Sequence, residues 1–468
     1  MRGLLLFTLF VSSLWFVFKS PFNGALLWYV FSLGNFQTIT WGFFSQIRYA
    51  YIIAIVTCLS WVISKEPKKL PLTPLAVLTL VFAVWITITS VAAVTAAGPA
   101  SQNFVAEVWM MWSRVEKVLF MCLVGFALTT SRERVNQMIW VVVLSIGVWG
   151  VKGAIWELFH AGSSRLYGPN GTDIGDNNDF GLALIIIVPL VFYQWQQATN
   201  RRLRHGLMAM GFLVTLAVLF TYSRGALIGL CAMGAVFLLR TRAKLATGLM
   251  IICFGLFAYS FAPAEWFGRM ETIQTYEQDS SAMGRIYFWK ICLRVAEQYP
   301  LLGGGFKVTY SPMMVNPLLR GTDLAELTEP KAPHSIYFEV LSEHSWLGLA
   351  LYLIIAAYSW RNCAWLVRHS RDRPDYAWAN NLGRMGQASL VAYWTGGAFV
   401  AQAYLDEYWC IIFVFEAARR LVAREIASRG GAFATAVSPH LGVPKLGIGT
   451  AAPAKPDLGA PGYVKTHS

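Results

Sequence analysis

The 468-residue sequence predicts an all-α polytopic membrane protein with about twelve transmembrane helices and one long extracytoplasmic loop. Three observations lead there. The chain is 56% hydrophobic and only 13% charged, whereas a soluble domain carries about a quarter charged residues, so it is short of water-facing surface. Apolar runs of roughly 16 to 22 residues recur along most of its length, enough to cross a hydrocarbon core of about 30 Å. The basic residues, finally, are unevenly placed. The stretches 65–69, 132–134, 201–204, 240–244, 361–384 and the tail from Arg419 carry formal charges of +2, +1, +3, +3, +3 and +5. Together they hold +17 against a total of +13, which leaves −4 for everything else. Cations gathered in alternate short loops mark the cytoplasmic side of a membrane protein, so no nucleic-acid partner is expected.

The elements follow in order from that sidedness. The run Gly3–Phe18 behind Arg2 lacks a small-x-small cleavage site and continues into Pro21 and Phe22, so it reads as a retained anchor. The apolar region 3–34 makes one net crossing if the N-terminus is cytoplasmic, or two with Arg2 outside and Lys19 inside; one full crossing plus a broken segment is favoured. Runs near 47–64, 74–96, 114–130, 136–158, 179–196, 207–222, 225–240, 245–262 and 334–360 read as helices, followed by a hairpin over 385–418. Parity puts 159–178 and 263–333 outside. The latter, about 70 residues long, far exceeds an ordinary connection and is expected to carry function. Residues 1–418 thus form a transmembrane domain, and the Gly-, Ala- and Pro-rich segment 419–468 reads as a disordered cytoplasmic tail. Most of the seven cysteines lie in apolar runs and imply no disulfide framework.

Three polar interruptions fall on the outside face: Arg224 in TYSRGALIGL, Arg285 in AMGRIYFW, and His334 in KAPHSIYFEVLSEHSW. Each has a plain alternative: Arg224 snorkelling to headgroups, Arg285 pairing with an acid of its own loop, His334 capping its helix. An ionisable group at a membrane boundary is nevertheless costly enough to suggest function, and three on one face reinforce one another. Two arginines suit an oxyanion such as pyrophosphate, because the guanidinium stays protonated and binds bidentately. A neutral histidine beside them can take a proton from an attacking hydroxyl. Glu339 and Glu343, further along the helix, are expected to point elsewhere. Arg48, Lys152 and Arg165 are additional cations near this face, and Asn177, Asn178 and Tyr337 are candidate substrate-binding residues. No HExxH and no zinc-spaced Cys/His set occurs, and Gly303-Gly304-Gly305 lacks a Walker pattern and reads as a turn. Neither a metal nor a cofactor is expected.

At these patches the sequence resembles the O-antigen ligase and polymerase superfamily of bacterial membrane glycosyltransferases. The resemblance rests on the SRGA motif, on GR-x3-W (Gly284, Arg285, Trp289) and on PHS-x-Y-x3-L-x-E before a helix, in that order over about 179–418. The N-terminal run MRGLLLFTLF through TWGFFSQIRYA and the segment GPNGTDIGDNND are similar to a subgroup associated with surface-polysaccharide and O-glycosylation loci. The resemblance implies a multi-pass inner-membrane enzyme whose active site faces the periplasm among membrane lipids. It implies a glycan donor linked to undecaprenyl pyrophosphate and, for a ligase, lipid A–core as acceptor. A polymerase would extend another lipid-linked glycan, and related enzymes glycosylate a protein Ser or Thr. By the same resemblance Arg224 and Arg285 hold the pyrophosphate and His334 serves the acceptor hydroxyl. The family often has Asn after this histidine and Gly later in the helix, where this chain has Ser335 and His344-Ser345. Outside the family, a transporter of lipid-linked sugars is the rival; it should show charges near mid-membrane and pseudo-symmetric halves.

Overall fold

The computed structural model describes residues 2–98, 101–160, 162, 164–240, 244–260, 280–322, 324, 329 and 331–437. Every long element among them is an α-helix. In chain order these are α1 (Arg2–Lys19), α2 (Pro21–Gly34), α3 (Phe43–Gln46), α4 (Tyr49–Ile63), α5 (Pro74–Ala97), α6 (Gln102–Leu128), α7 (Arg132–Phe159) and α8 (Asn177–Gln197). Next come α9 (Arg201–Phe220), α10 (Arg224–Arg240), α11 (Lys244–Ser260), α12 (Ser280–Gln298), α13 (Pro312–Leu319), α14 (Ile336–His369), α15 (Ala377–Gly397) and α16 (Asp406–Val437). Polar caps set several starts. Thr73, Ser131, Asp176 and Asn200 each accept a backbone N–H from the first turn of α5, α7, α8 and α9, satisfying a donor that the helix leaves open.

Among the described residues six helices are long and apolar enough to cross a membrane: α1, α5, α7, α8, α9 and α14. The shorter α4 and the span Arg224–Leu239 are also apolar. The chain is therefore a multi-pass membrane protein. Other expected spans fall short for visible reasons. α6 begins at Gln102, earlier than the run near 114–130, and carries Arg114, Glu116 and Lys117 as well as Glu107. α2 has only 14 residues, about 21 Å at 1.5 Å per residue.

The two ends of the bundle differ in charge. Arg134 pairs with Glu66, which joins the 65–69 stretch to the start of α7. Arg132 lies 5.3 Å from the Trp378 ring centroid and Arg419 6.0 Å from that of Trp365, which brings in the 361–384 stretch and α16. Gln194, at the end of α8 just before Arg201, donates to the Asn136 carbonyl (3.4 Å). Five of the six basic stretches thus gather at one end. At the opposite end Arg2 lines a cavity together with Lys152 and Asn170. Ser60 Oγ donates to the Val17 carbonyl (2.7 Å), so α1 runs alongside α4 in the same direction, with α2 returning against both. In region 3–34 the long α1 and the short α2 thus lie side by side, with Arg2 at the end remote from the basic loops and Lys19 near them.

Two further expectations are corrected. The 263–333 segment is not a simple loop, because α12 and α13 lie within it; its residues 263–279, 323, 325–328 and 330 lie outside the described residues. Nor does disorder begin at Arg419. α16 continues to Val437, since the sequence from Glu416 to Ser428 is rich in helix formers and Glu416 pairs with Arg419 (2.9 Å). Residues 438–468 of the expected tail lie outside the described residues. By internal contacts the chain divides into Met1–Val422, which holds the bundle, and Ala423–Ser468.

Candidate functional site

The site is built on the start of α14. That helix begins at Ile336 with Ser335 as its N-cap, so His334 precedes the helix and is not part of it. His334 has φ 47°, in the left-handed region. Its ring is half-buried, and three elements act on it. Burial is the largest influence lowering its pKa from 6.5; Arg285 lowers it further, Asp176 opposes the shift, and Lys331 adds a smaller lowering. Arg285 and Asp176 are thus each within electrostatic reach of His334.

Trp289 explains how α12 reaches this point. Its Nε1 donates to the Pro333 carbonyl (2.9 Å), and its ring stacks on Phe338 at 5.1 Å and 11°. Arg285 and Trp289 are four residues apart and share a face of α12. The tryptophan of the GR-x3-W motif therefore clamps α12 to the backbone beside His334, and the motif's arginine is carried with it. The task of Trp289 is not evident from the motif alone; its i,i+4 spacing from Arg285 is the signal that the sequence offers.

Arg224 opens α10 at a corner fixed from several sides. Tyr222 has φ 53° and its hydroxyl bonds the Gly162 carbonyl. Ser223 Oγ accepts from the Ala226 N–H (3.2 Å). The Asn177 amide donates to the Thr221 carbonyl (2.8 Å), tying the corner to the start of α8, where Asp176 sits. The small residues of SRGA permit close packing. A Cβ on Gly225 would meet Phe399 Cβ at 3.0 Å, and one on Gly181 would meet Ala226 at 2.8 Å. The α15–α16 connection closes the arrangement: Gln402 donates to the Asp173 carbonyl (2.7 Å), and the Ala403 N–H donates to Glu339 (2.8 Å). The Arg224 corner, the α8 start, α12 and the α14 start therefore meet at one end of the bundle.

The remaining expected residues divide. Asn177 is buried and its amide is engaged with Thr221. The Asn178 backbone and amide both bond Asp176 Oδ1 (2.8 and 3.0 Å). The Tyr337 hydroxyl donates to the Trp394 carbonyl (2.9 Å). These contacts position the backbone. Arg165 is half-buried beside Leu166, whose N–H bonds the Phe220 carbonyl (2.9 Å). Arg48 is exposed ahead of α4, and Lys152 lines the cavity with Arg2, a space whose lining does not include Arg224, Arg285 or His334.

A second polar cluster lies along α14. Glu339 and Glu343 do not face away: both are buried, and Glu343 accepts from the Lys307 N–H (2.8 Å) and the Tyr404 hydroxyl (2.8 Å). Gly304 and Gly305 donate to the Ser342 and Glu343 carbonyls (2.8 and 2.9 Å). The glycine turn thus caps an interruption in α14 at Ser345, where φ is 63° and ψ −169°. Ser345 occupies one of the places where the resemblance led us to look for Gly, and its backbone is indeed one that favours Gly. Burial disfavours the Lys307 ammonium, but Tyr310, Glu339 and Glu343 outweigh it and raise its pKa above the ordinary value. Among the described residues no three His, Cys, Asp or Glu side chains group as a metal site.

Residues 207–353 match the profile of a family described as O-antigen ligase, a range that contains Arg224, Arg285, Trp289 and His334. Residues 1–199 match a family of unknown function. No curated protein matches the chain.

Proposed function

Because residues 207–353 match the profile of a family described as O-antigen ligase, we propose that this multi-pass membrane enzyme moves a glycan from undecaprenyl pyrophosphate to a sugar hydroxyl of lipid A–core. The reading places the reaction at the periplasmic face of the bacterial inner membrane, with about twelve crossings and the basic end in the cytoplasm. It uses no divalent metal. The observation that carries it is the Trp289–Pro333 hydrogen bond, which fixes Arg285 beside a histidine of lowered pKa.

In the proposed reaction the acceptor oxygen forms a bond to the anomeric carbon while the bond from that carbon to the pyrophosphate oxygen breaks. His334 takes the hydroxyl proton, and Arg224 and Arg285 meet the charge left on the lipid pyrophosphate. General-base help is worth about 10²- to 10⁴-fold, and arginines aimed at developing charge supply electrostatic stabilisation that water cannot. Attack opposite the leaving group inverts the anomeric centre. Asp176 tempers the loss of basicity that Arg285 imposes on His334. Asn177, Asn178 and Tyr337 hold the backbone from which these groups project.

The test is purified protein with lipid-linked glycan and, separately, lipid A–core, a serine- and threonine-containing peptide, or more lipid-linked glycan. Product on lipid A–core, undiminished by EDTA, is expected. Lengthened lipid-linked glycan alone would make the protein a polymerase, and product on the peptide alone a protein O-oligosaccharyltransferase. Glycan translocation across vesicles without any transfer would make it a transporter.

A further inference from the structure

The cavity between α1, the segment 36–41, the last turns of α7 and the 166–170 loop has a volume of about 1010 Å³. Small-molecule sites reach about this size. Its lining is unusual in combining two cations, Arg2 and Lys152, with Trp41, Trp149, Trp156 and Tyr167. Trp41 and Trp156 are 73% and 59% exposed, so broad ring faces stand open. Aromatic side chains at a membrane boundary ordinarily form an anchoring belt, but these line one shared space, and two of the tryptophans are held in place by contacts. Trp149 Nε1 donates to the Gly34 carbonyl (2.7 Å) and its ring stacks against Phe36. Trp156 stacks on His160 with centroids 4.1 Å apart.

The cations lie over these rings and not against acids. Arg2 Cζ is 5.8 Å from the Trp41 centroid and Lys152 Nζ 5.1 Å from that of Trp149; among the described residues neither has a carboxylate partner. Their charge is left for a ligand. The cavity also adjoins the site in sequence and in hydrogen bonding. Leu166, in its wall, bonds the Phe220 carbonyl at the Arg224 corner, and the loop beyond Asn170 leads to Asp176 and the start of α8.

We propose that this cavity is the subsite for the acceptor, a phosphorylated glycolipid whose phosphate meets Arg2 and Lys152 and whose sugar faces lie on Trp41 and Trp156. The assignment rests on the transferase reading above. A phosphate takes charge-assisted hydrogen bonds from Arg and Lys, and a sugar presents an apolar face that a flat aromatic ring can cover. The lipid chains remain in the bilayer, which the exposed apolar surfaces of α1 adjoin. A cavity on the α1 and α7 side lets the acceptor approach apart from a donor pyrophosphate held at Arg224 and Arg285.

Two measurements on the full-length protein in nanodiscs test this. In the transfer reaction, Arg2→Ala, Lys152→Ala and Trp156→Ala should each raise the acceptor KM about tenfold, as expected for loss of one charge-assisted bond or ring contact, with the donor KM unchanged. Lys152→Arg should stay near wild type. With lipid A–core stripped of its phosphates, Arg2→Ala and Lys152→Ala should lose their effect while Trp156→Ala keeps it. Separately, anisotropy of fluorescently labelled lipid A–core should report binding without turnover, weakened about tenfold by Lys152→Ala. Unlabelled phosphatidylglycerol should not compete. Unchanged acceptor KM and binding in folded variants would overturn the subsite while leaving the transferase reading standing. A rise in donor KM instead, or equal competition by phosphatidylglycerol, would overturn it too. Saturable, Lys152-dependent binding in a protein that transfers nothing would uphold the subsite and defeat the transferase reading.

Discussion

At His334 the backbone takes φ 47°, a region that a non-glycine residue enters at some cost, although His is among the more tolerant types. Pro333 on one side and the Trp289 bond to its carbonyl hold that conformation, directing the ring out ahead of α14. If His334 is the base, His334→Ala should lose about 10²- to 10⁴-fold in transfer while donor binding persists. Gln in its place should not rescue, since an amide cannot accept the proton; a folded His334→Gln variant with near-normal turnover would reduce the residue to a positioning role. The electrostatics add a second prediction. Because burial and Arg285 lower its pKa from 6.5, the neutral base persists to lower pH, and the acid limb of kcat/KM should fall below pH 6.5. Arg285→Ala removes a charge that disfavours the imidazolium, so the limb should move up. Asp176→Asn removes one that favours it, so the limb should move down. Limbs unmoved by both substitutions would separate His334 from the titration. Arg224, Arg285 and His334 were legible in sequence because each interrupts an apolar pattern. Trp289 and Asp176 were not, because their roles arise only when α12 and α8 are brought to the α14 start.

Among the elements, α14 departs most from its sequence pattern. A continuous helix is the natural reading of 334–360, yet Ser345 breaks it and the 303–305 turn fills the break. The turn was legible as a turn, since three consecutive glycines resist regular structure, but nothing in the local sequence said against what it folds. Gly303 has φ 68°, and a Cβ there would meet the Glu343 carbonyl oxygen at 2.6 Å. We therefore expect Gly303→Ala to destabilise the protein by about 1–3 kcal/mol through backbone strain alone, with the clash adding to it. Thermal unfolding in detergent should show a clearly lowered midpoint, and an unchanged one would mean that the turn does not brace α14. Helix starts were legible where a cap residue precedes an apolar run, as at Thr73 and Ser131. Polar α12 gave no such signal: it is held by contacts with α14 and α13, and its sequence alone reads as loop.

Across the whole molecule, the charge asymmetry read from sequence reappears as geometry. Five basic stretches that are far apart in the chain gather at one end, through Arg134–Glu66 and the Arg132 and Arg419 contacts with Trp378 and Trp365. The Arg224 corner and His334 lie at the other. The proposed orientation rests on the rule that Lys- and Arg-rich short loops stay cytoplasmic. The N-terminal region was the part that charge could not decide: Arg2 and Lys19 are single cations at opposite ends of α1, and two or three short apolar elements fit either parity. In the fold Arg2 and Lys152 line one cavity, at the end remote from the basic loops. All seven cysteines are free, so single probes belong in a cysteine-free background. A membrane-impermeant maleimide applied from the periplasmic side should label Arg320→Cys and Arg2→Cys, and should reach Arg202→Cys only after the inner membrane is opened. Labelling of Arg202→Cys first would invert the orientation and remove the periplasmic active site. Labelling of Arg320→Cys without Arg2→Cys, when both react in opened membranes, would leave the catalytic end in place but return the N-terminus to the cytoplasm, contradicting the α1–α2 pair and the cavity it helps to enclose.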